Sequence, residues 1–197
     1  MSLFNSIDWT AVTAIAAVAG VLIAAYLQIS ALHSTWLSDS ANMVAKFDAD
    51  RESPTYRRFR KRFCQQLLEV HKMKTEEIQD HEVLAKTGIA DLPVLDLYES
   101  LAYLTHRGVL DKGMVWNKFF WEIERYYIAL TEPVNILQIF QKDDPTIYCE
   151  FEWLYKSLLR YDRKQRKIPI SAGKPSISEA EHYLVENSSL TIDNSDR

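Results

Sequence analysis

Residues Lys112–Leu130 read KGMVWNKFFWEIERYYIAL, and this stretch decides the fold. Val115, Phe119, Ile123, Tyr126 and Leu130 recur at spacings of three and four, the stripe of one helix face. Trp116, Phe120 and Tyr127 widen the stripe, while Trp121 and Ile128 lie on the other side. So broad an apolar surface suits a central helix packed on several sides. An aromatic ligand cage is the rival reading, but such stripes more often pack a core.

Outward from this helix, the punctuation is that of short turns between helices. Ser53-Pro54, Asp91-Leu92-Pro93, Glu132-Pro133 and Asp144-Pro145 each place proline where a helix begins, beside residues that can cap free N–H groups. Asp111 is a further N-cap, and Gly88 and Gly108 stand where helices stop. Helices are expected over Pro54 to about Thr87, Leu92–Arg107, Lys112–Leu130, Glu132–Gln141 and Pro145 to about Arg163. No clean period-two alternation occurs. The expected class is all-α, with short linkers joining antiparallel helices in a bundle.

Upstream, Trp9–Ser38 contains no Asp, Glu, Lys or Arg over 30 residues. Ala11–Leu27 reads AVTAIAAVAGVLIAAYL, followed by Ile29, Ala31 and Leu32. About 20 apolar residues at 1.5 Å rise span a hydrocarbon core of ~30 Å. Trp9, Tyr26 and Trp36 are candidate interfacial aromatics. A single transmembrane helix is expected, running from Trp9 past Leu37 towards Phe47. A signal peptide fits less well, because Met1–Asp8 carries no basic residue. Lys46, Arg51, Arg57, Arg58, Arg60, Lys61 and Arg62 follow the span, so the N-terminus is expected outside and the remainder in the cytoplasm.

Composition agrees and excludes several classes. The 197 residues include 5 glycines, well below the usual ~7%. Glycine-rich phosphate loops and turn-rich β-sandwiches are disfavoured. The formal net charge of −4 argues against a general nucleic-acid field. The two cysteines, Cys64 and Cys149, sit in apolar contexts and read as separate buried thiols. Three regions are expected: 1–37 with the membrane helix, 38–163 as a cytoplasmic helical domain, and 164–197 as linker and acidic tail. Within the tail, Ser176-Ile-Ser-Glu179 fits a capping box, with a short helix to about Asn187.

The chemical candidates are sparse. Gly108 and Gly113 have Walker-like spacing, but Met114 and Val115 replace the required Lys and Ser/Thr. His71 and His81, with Glu76, Glu77, Asp80 and Glu82, lack a three-ligand arrangement and read as a solvated face. No metal site, cofactor or catalytic residue is inferred. Glu99 and Arg125, with Glu122 or Glu124, lie on apolar helices and must be paired if buried. A Glu99–Arg125 bridge is expected. Arg57, Arg58, Arg60, Lys61 and Arg62 are candidates for lipid headgroups or a phosphate-bearing ligand. Tyr56, Phe59, Phe63 and Leu67 share helical spacing, which puts the aromatics in the core and the cations on the surface. Ala16, Gly20 and Ala24 form a small-residue ridge that would allow helix association in lipid and a homo-oligomer.

Two stretches carry a resemblance. VLDLYESLAYLTHRGVLDKGMVWNKFFWEIERYYIAL, Val94–Leu130, and DDPTIYCEFEWLYKSL, Asp143–Leu158, are similar to a bacterial family known as domain of unknown function 4760. The resemblance covers roughly Trp36 to Leu159. It implies one N-terminal membrane helix followed by a small cytoplasmic helical domain, hence the inner membrane of a bacterium, and it transfers no catalytic residue. The expected function is a membrane-anchored helical binding or regulatory module, not an enzyme, with a protein or phosphate-bearing partner and nucleic acid disfavoured. Rival expectations are a defence or toxin effector that oligomerises and disturbs the bilayer, and an anion- or nucleotide-sensing domain.

Overall fold

The structure, a computed structural model, describes residues 9–73, 78, 87, 89, 93–142, 144–167 and 176–189, with side chains from residue 17 onward. Every element among them is helical: α1 (Trp9–Glu52), α2 (Pro54–His71), α3 (Pro93–His106), α4 (Lys112–Thr131), α5 (Ile136–Gln141), α6 (Cys149–Arg166) and α7 (Ile177–Ser188). The chain divides into two compact units, Met1–Ser40 and Ala41–Arg197.

In the first unit, α1 is the one helix among the described residues long and apolar enough to cross a membrane. Val18, Leu22, Tyr26, Ile29 and Leu32 are each between 61% and 71% exposed. None of its apolar window is buried within the protein. α1 runs on to Glu52, beyond the expected limit near Phe47.

The second unit is a helical bundle. α6 packs on α3 and α4, α7 packs on α2 and α4, and α2 also meets α3. The α4 stripe behaves as its periodicity demands: Val115, Phe119, Ile123, Tyr126 and Leu130 are fully buried. They meet Tyr98 and Leu101 of α3 and Phe151, Leu154 and Leu158 of α6 in one core. Each buried side chain of this size contributes about 1.5–3 kcal/mol. Tyr127 stacks on Tyr155 at 3.8 Å between ring centroids, and Trp116 Nε1 donates to Asp162 at 2.9 Å, fastening α4 to α6.

Local signals set several ends. Ser53 accepts from the Tyr56 N–H ahead of Pro54, and Asp111 accepts from the Met114 N–H. Gly108, at φ +71°, ends α3: its N–H reaches Thr105 O and the Val109 N–H reaches Leu104 O. This is the double bond of a Schellman stop, which favours glycine.

Other ends differ from expectation. α2 stops at His71 with Lys72 as its cap, not near Thr87, and Gly88, Asp91 and Leu92 lie outside the described residues. α5 begins at Ile136, not Glu132, because the Asn135 side chain accepts from the Gln138 N–H at 3.0 Å. α6 begins at Cys149, not Pro145. The Asp144 carboxylate takes both the backbone N–H and the hydroxyl of Thr146, closing a turn that competes with helix. The segment from 164 on is more than linker and tail. It supplies the last turn of α6 and then α7, whose capping box forms as expected and whose Ala180, Tyr183 and Leu184 are buried.

Candidate functional site

Glu122 lies three residues after Phe119 and four before Tyr126, on the buried stripe of α4, and only 4% of it is exposed. A buried carboxylate has to be compensated, and four helices do so. Arg51, in the last turn of α1, places Nη1 at 3.1 Å from one carboxylate oxygen. Arg60 of α2 places its own at 3.4 Å from the other. That second oxygen also accepts from the Tyr183 hydroxyl of α7 at 2.7 Å and from Tyr126 at 3.3 Å. The hydroxyls of Tyr56 and Tyr98 lie near Glu122 without hydrogen-bond geometry. Burial, then the nearby carboxylate, pushes the phenols of Tyr56, Tyr98 and Tyr183 far above their ordinary value, so all three stay protonated. Burial pulls the guanidinium pKa of Arg51 and Arg60 down, but Glu122 and weaker neighbouring charges outweigh it and raise both.

Over this carboxylate lies a cleft of about 350 Å³, lined by Arg51, Arg60, Lys118, Trp121, Tyr183 and Asn187 among others. Its cations are already engaged. Arg51 also pairs with Asp48 at 2.8 Å and Glu52 at 3.0 Å, and Lys118 with Asp48 at 3.1 Å. A second cleft of about 310 Å³ shares Trp121, Tyr183 and Glu186. A broad concavity flanks α5 between Pro133 and Pro145.

The expected basic patch on α2 is thus split. Arg60 turns inward to Glu122, Arg57 pairs with Glu52 at 2.9 Å, Lys61 is half-buried, and Arg58 and Arg62 face solvent. Phe59, expected in the core, is 41% exposed. At about 100° per residue, Arg60 lies ~40° from Tyr56, inside the arc that Gln66 and Cys64 bound at ~80° on either side, so its inward turn follows from its position; Phe59 falls inside the same arc, and its exposure has no angular explanation.

The expected Glu99–Arg125 bridge does not form. Glu99 reaches from α3 to the start of α6 and accepts from the backbone N–H groups of Glu150 at 3.2 Å and Phe151 at 2.6 Å. Tyr148, the N-cap residue of α6, is left-handed with φ 53° and offers no side-chain cap, so Glu99 serves as the cap from another helix. Arg125 instead donates to the Trp121 carbonyl at 2.8 Å and lies over the Trp121 indole at 3.6 Å.

His71 is not on a solvated face. Its ring is 5% exposed, with Nε2 at 2.7 Å from the Ala129 carbonyl of α4 and Nδ1 at 3.3 Å from Glu181 of α7. His81, Glu76, Glu77, Asp80 and Glu82 lie outside the described residues. Cys64 is buried and Cys149 exposed, so the expectation of two buried thiols holds for one. Gly20 and Ala24 are exposed on α1 with open space around Gly20; of Ala16 only the helical backbone is described.

Chemically, Glu122 is an engaged acceptor: Arg51 holds one oxygen, and Arg60, Tyr183 and Tyr126 converge on the other. Among the described residues no three His, Cys, Asp or Glu converge as metal ligands. Burial pushes the Cys64 thiol up to about 12, which leaves it un-ionised. The arrangement is suited to holding helices together.

In the sequence Glu122 stands out only as one of two acids near Arg125, and Arg51 only as a charge beyond the span. The position of Glu122 among Phe119, Ile123 and Tyr126 carried the signal that it is buried; its partners, up to 71 residues away, carried none. No curated protein and no solved structure matches the chain. The model of the family described as domain of unknown function (DUF4760) matches residues 14–158, taking in the apolar part of α1 and the bundle into α6. The chain is a member of the DUF4760 family.

Proposed function

We propose that the chain is a single-pass, membrane-anchored helical module whose bundle lies in the cytoplasm and binds a partner there without catalysing a reaction. One observation carries the reading. The apolar residues of α1 from Val18 to Leu32 are all exposed. Lipid is the environment that would cover such a surface at no cost in unsatisfied backbone groups. The basic residues after the span favour a cytoplasmic bundle. The engagement of both Glu122 oxygens by structural partners favours a binding module over general acid–base work.

Native thiols test both location and orientation. The full chain is expected in the membrane fraction after alkaline carbonate extraction. A membrane-impermeant maleimide is expected to label the exposed Cys149 in inside-out vesicles and not in intact cells. Extraction of the chain by carbonate would refute the anchor. Labelling of Cys149 from outside intact cells would refute the orientation.

A further inference from the structure

We propose that the groove between α2 and α4 is a receptor for an acidic amphipathic helix bearing adjacent tyrosine and leucine, and that α7 is its occupant in cis, displaced when a partner presents a helix of the same chemistry. The proposal rests on reading the bundle as a binding module, and names what it binds.

Several observations converge on α7. It lies beyond the residues that match the family, which end at 158. α6 ends at the left-handed Lys167, and the sequence joining it to α7 contains Pro169, Gly173 and Pro175. α7 nucleates itself, with Ser176 and Glu179 forming a complete capping box. Its contacts are those of a docked helix: Ala180 and Leu184 are fully buried, and Tyr183 sets its ring edge-on to Trp121 at 5.0 Å and to Tyr126 at 5.4 Å.

Charge and polarity match across the groove. α7 carries Glu179, Glu181 and Glu186 and no lysine or arginine, and Glu179 and Glu186 line one cleft with the Arg125 guanidinium of α4, which they attract. Two polar contacts set the register. The Tyr183 hydroxyl donates to Glu122, and Glu181 faces His71. When α7 leaves, Glu122 keeps Arg51, Arg60 and Tyr126, so the receptor retains its compensated charge. Helix-in-groove recognition of this kind reads a few anchors at spacings of three and four, here Ala180, Tyr183, Leu184 and Asn187.

The probe is a labelled peptide of residues 176–189, titrated into the full chain in detergent micelles. The intact chain is expected to exclude it. Leu184→Asp, which expels α7, is expected to bind it at least tenfold more tightly than the intact chain. The same peptide carrying Tyr183→Phe is expected to bind about tenfold more weakly than its parent. Because Leu184→Asp could unfold the bundle, a second form is folded first and then cut by a protease at a site placed between Lys167 and Ser176. It should exchange its own helix for the labelled one while keeping its helical signal. A cut chain that retains its own helix and takes up no peptide, or that loses its fold on releasing it, would overturn the proposal. Equal binding to intact and cut chains would also overturn it. Membrane association is read by carbonate extraction on the same proteins, so failure of the receptor and failure of the anchor are distinguished.

Discussion

Replacing Glu122 by glutamine keeps the size of the side chain and removes the carboxylate that Arg51 and Arg60 both pair with. The two arginines respond differently. Arg51 keeps Asp48 at 2.8 Å and Glu52 at 3.0 Å, whereas Arg60 has no second salt bridge among the described residues. Removing one partner of a buried ion pair costs about 3–5 kcal/mol. Two features reduce that figure here. The Arg51 and Arg60 side chains remain 19% and 11% exposed, so water reaches them, and the amide oxygen still accepts from Tyr183. The expected loss is about 2–3 kcal/mol. For a chain of this size that lowers the thermal midpoint by about 4–12 °C, followed by far-UV circular dichroism in detergent. A double-mutant cycle with Arg60→Gln isolates the pair. The double variant is expected to lose less than the two single losses added together, by more than ~0.5 kcal/mol. A fall of under ~2 °C in Glu122→Gln, or strictly additive losses, would show that the carboxylate is not the centre that holds α1, α2 and α7.

Other substitutions probe the elements around it. Glu99→Ala removes the cap on α6 and is expected to cost about 1–2 kcal/mol in chemical unfolding. Burial raises the Glu99 carboxyl above its ordinary value, against the two N–H groups that lower it. The native state therefore holds that proton more tightly than the unfolded chain. Its contribution is full below the ordinary carboxylate range and declines as pH rises through the native pKa. Glu99→Gln should make the unfolding midpoint fall less steeply over that interval, and a slope equal to the parent's would contradict the assignment. Gly113→Ala places a methyl 2.8 Å from the Tyr161 hydroxyl and 3.1 Å from the Asp111 cap oxygen. A net loss of about 1 kcal/mol is expected despite alanine's better helix propensity. Tyr161→Phe, which removes the clashing oxygen, should restore stability in the double variant. A colorimetric thiol reagent should titrate Cys149 in the folded protein and Cys64 only after unfolding, since burial holds Cys64 un-ionised up to about 12; reaction of both at one rate would place Cys64 at the surface.

Where an interaction closes within one turn, the sequence displayed it. Ser53, Asp111 and Ser176 each reach an N–H three residues on, so their caps were legible. Asp144 shows the limit of that rule. It also bonds locally, but to Thr146, and so makes a turn where a helix start was expected. Arg60 shows a different limit: its angular position on α2 marked it as inward-facing, yet membership of a basic run hid it. His71 and Glu99 could not be placed at all by spacing, because their partners lie 51 to 110 residues away.

By itself the sequence determined the helical class, the apolar span of α1, the inward face of α4 and the caps at Ser53, Asp111 and Ser176, because helix periodicity, apolar length and local capping are short-range properties of the chain. Tertiary structure decided the rest. It gave Glu122 rather than Glu99 the pair of arginines, gave Glu99 the open N-terminus of α6, and drew α7 out of the acidic tail onto α2 and α4. A buried charge is settled by whichever donors the packed helices bring within about 3 Å, and chain separation sets no limit on which those are.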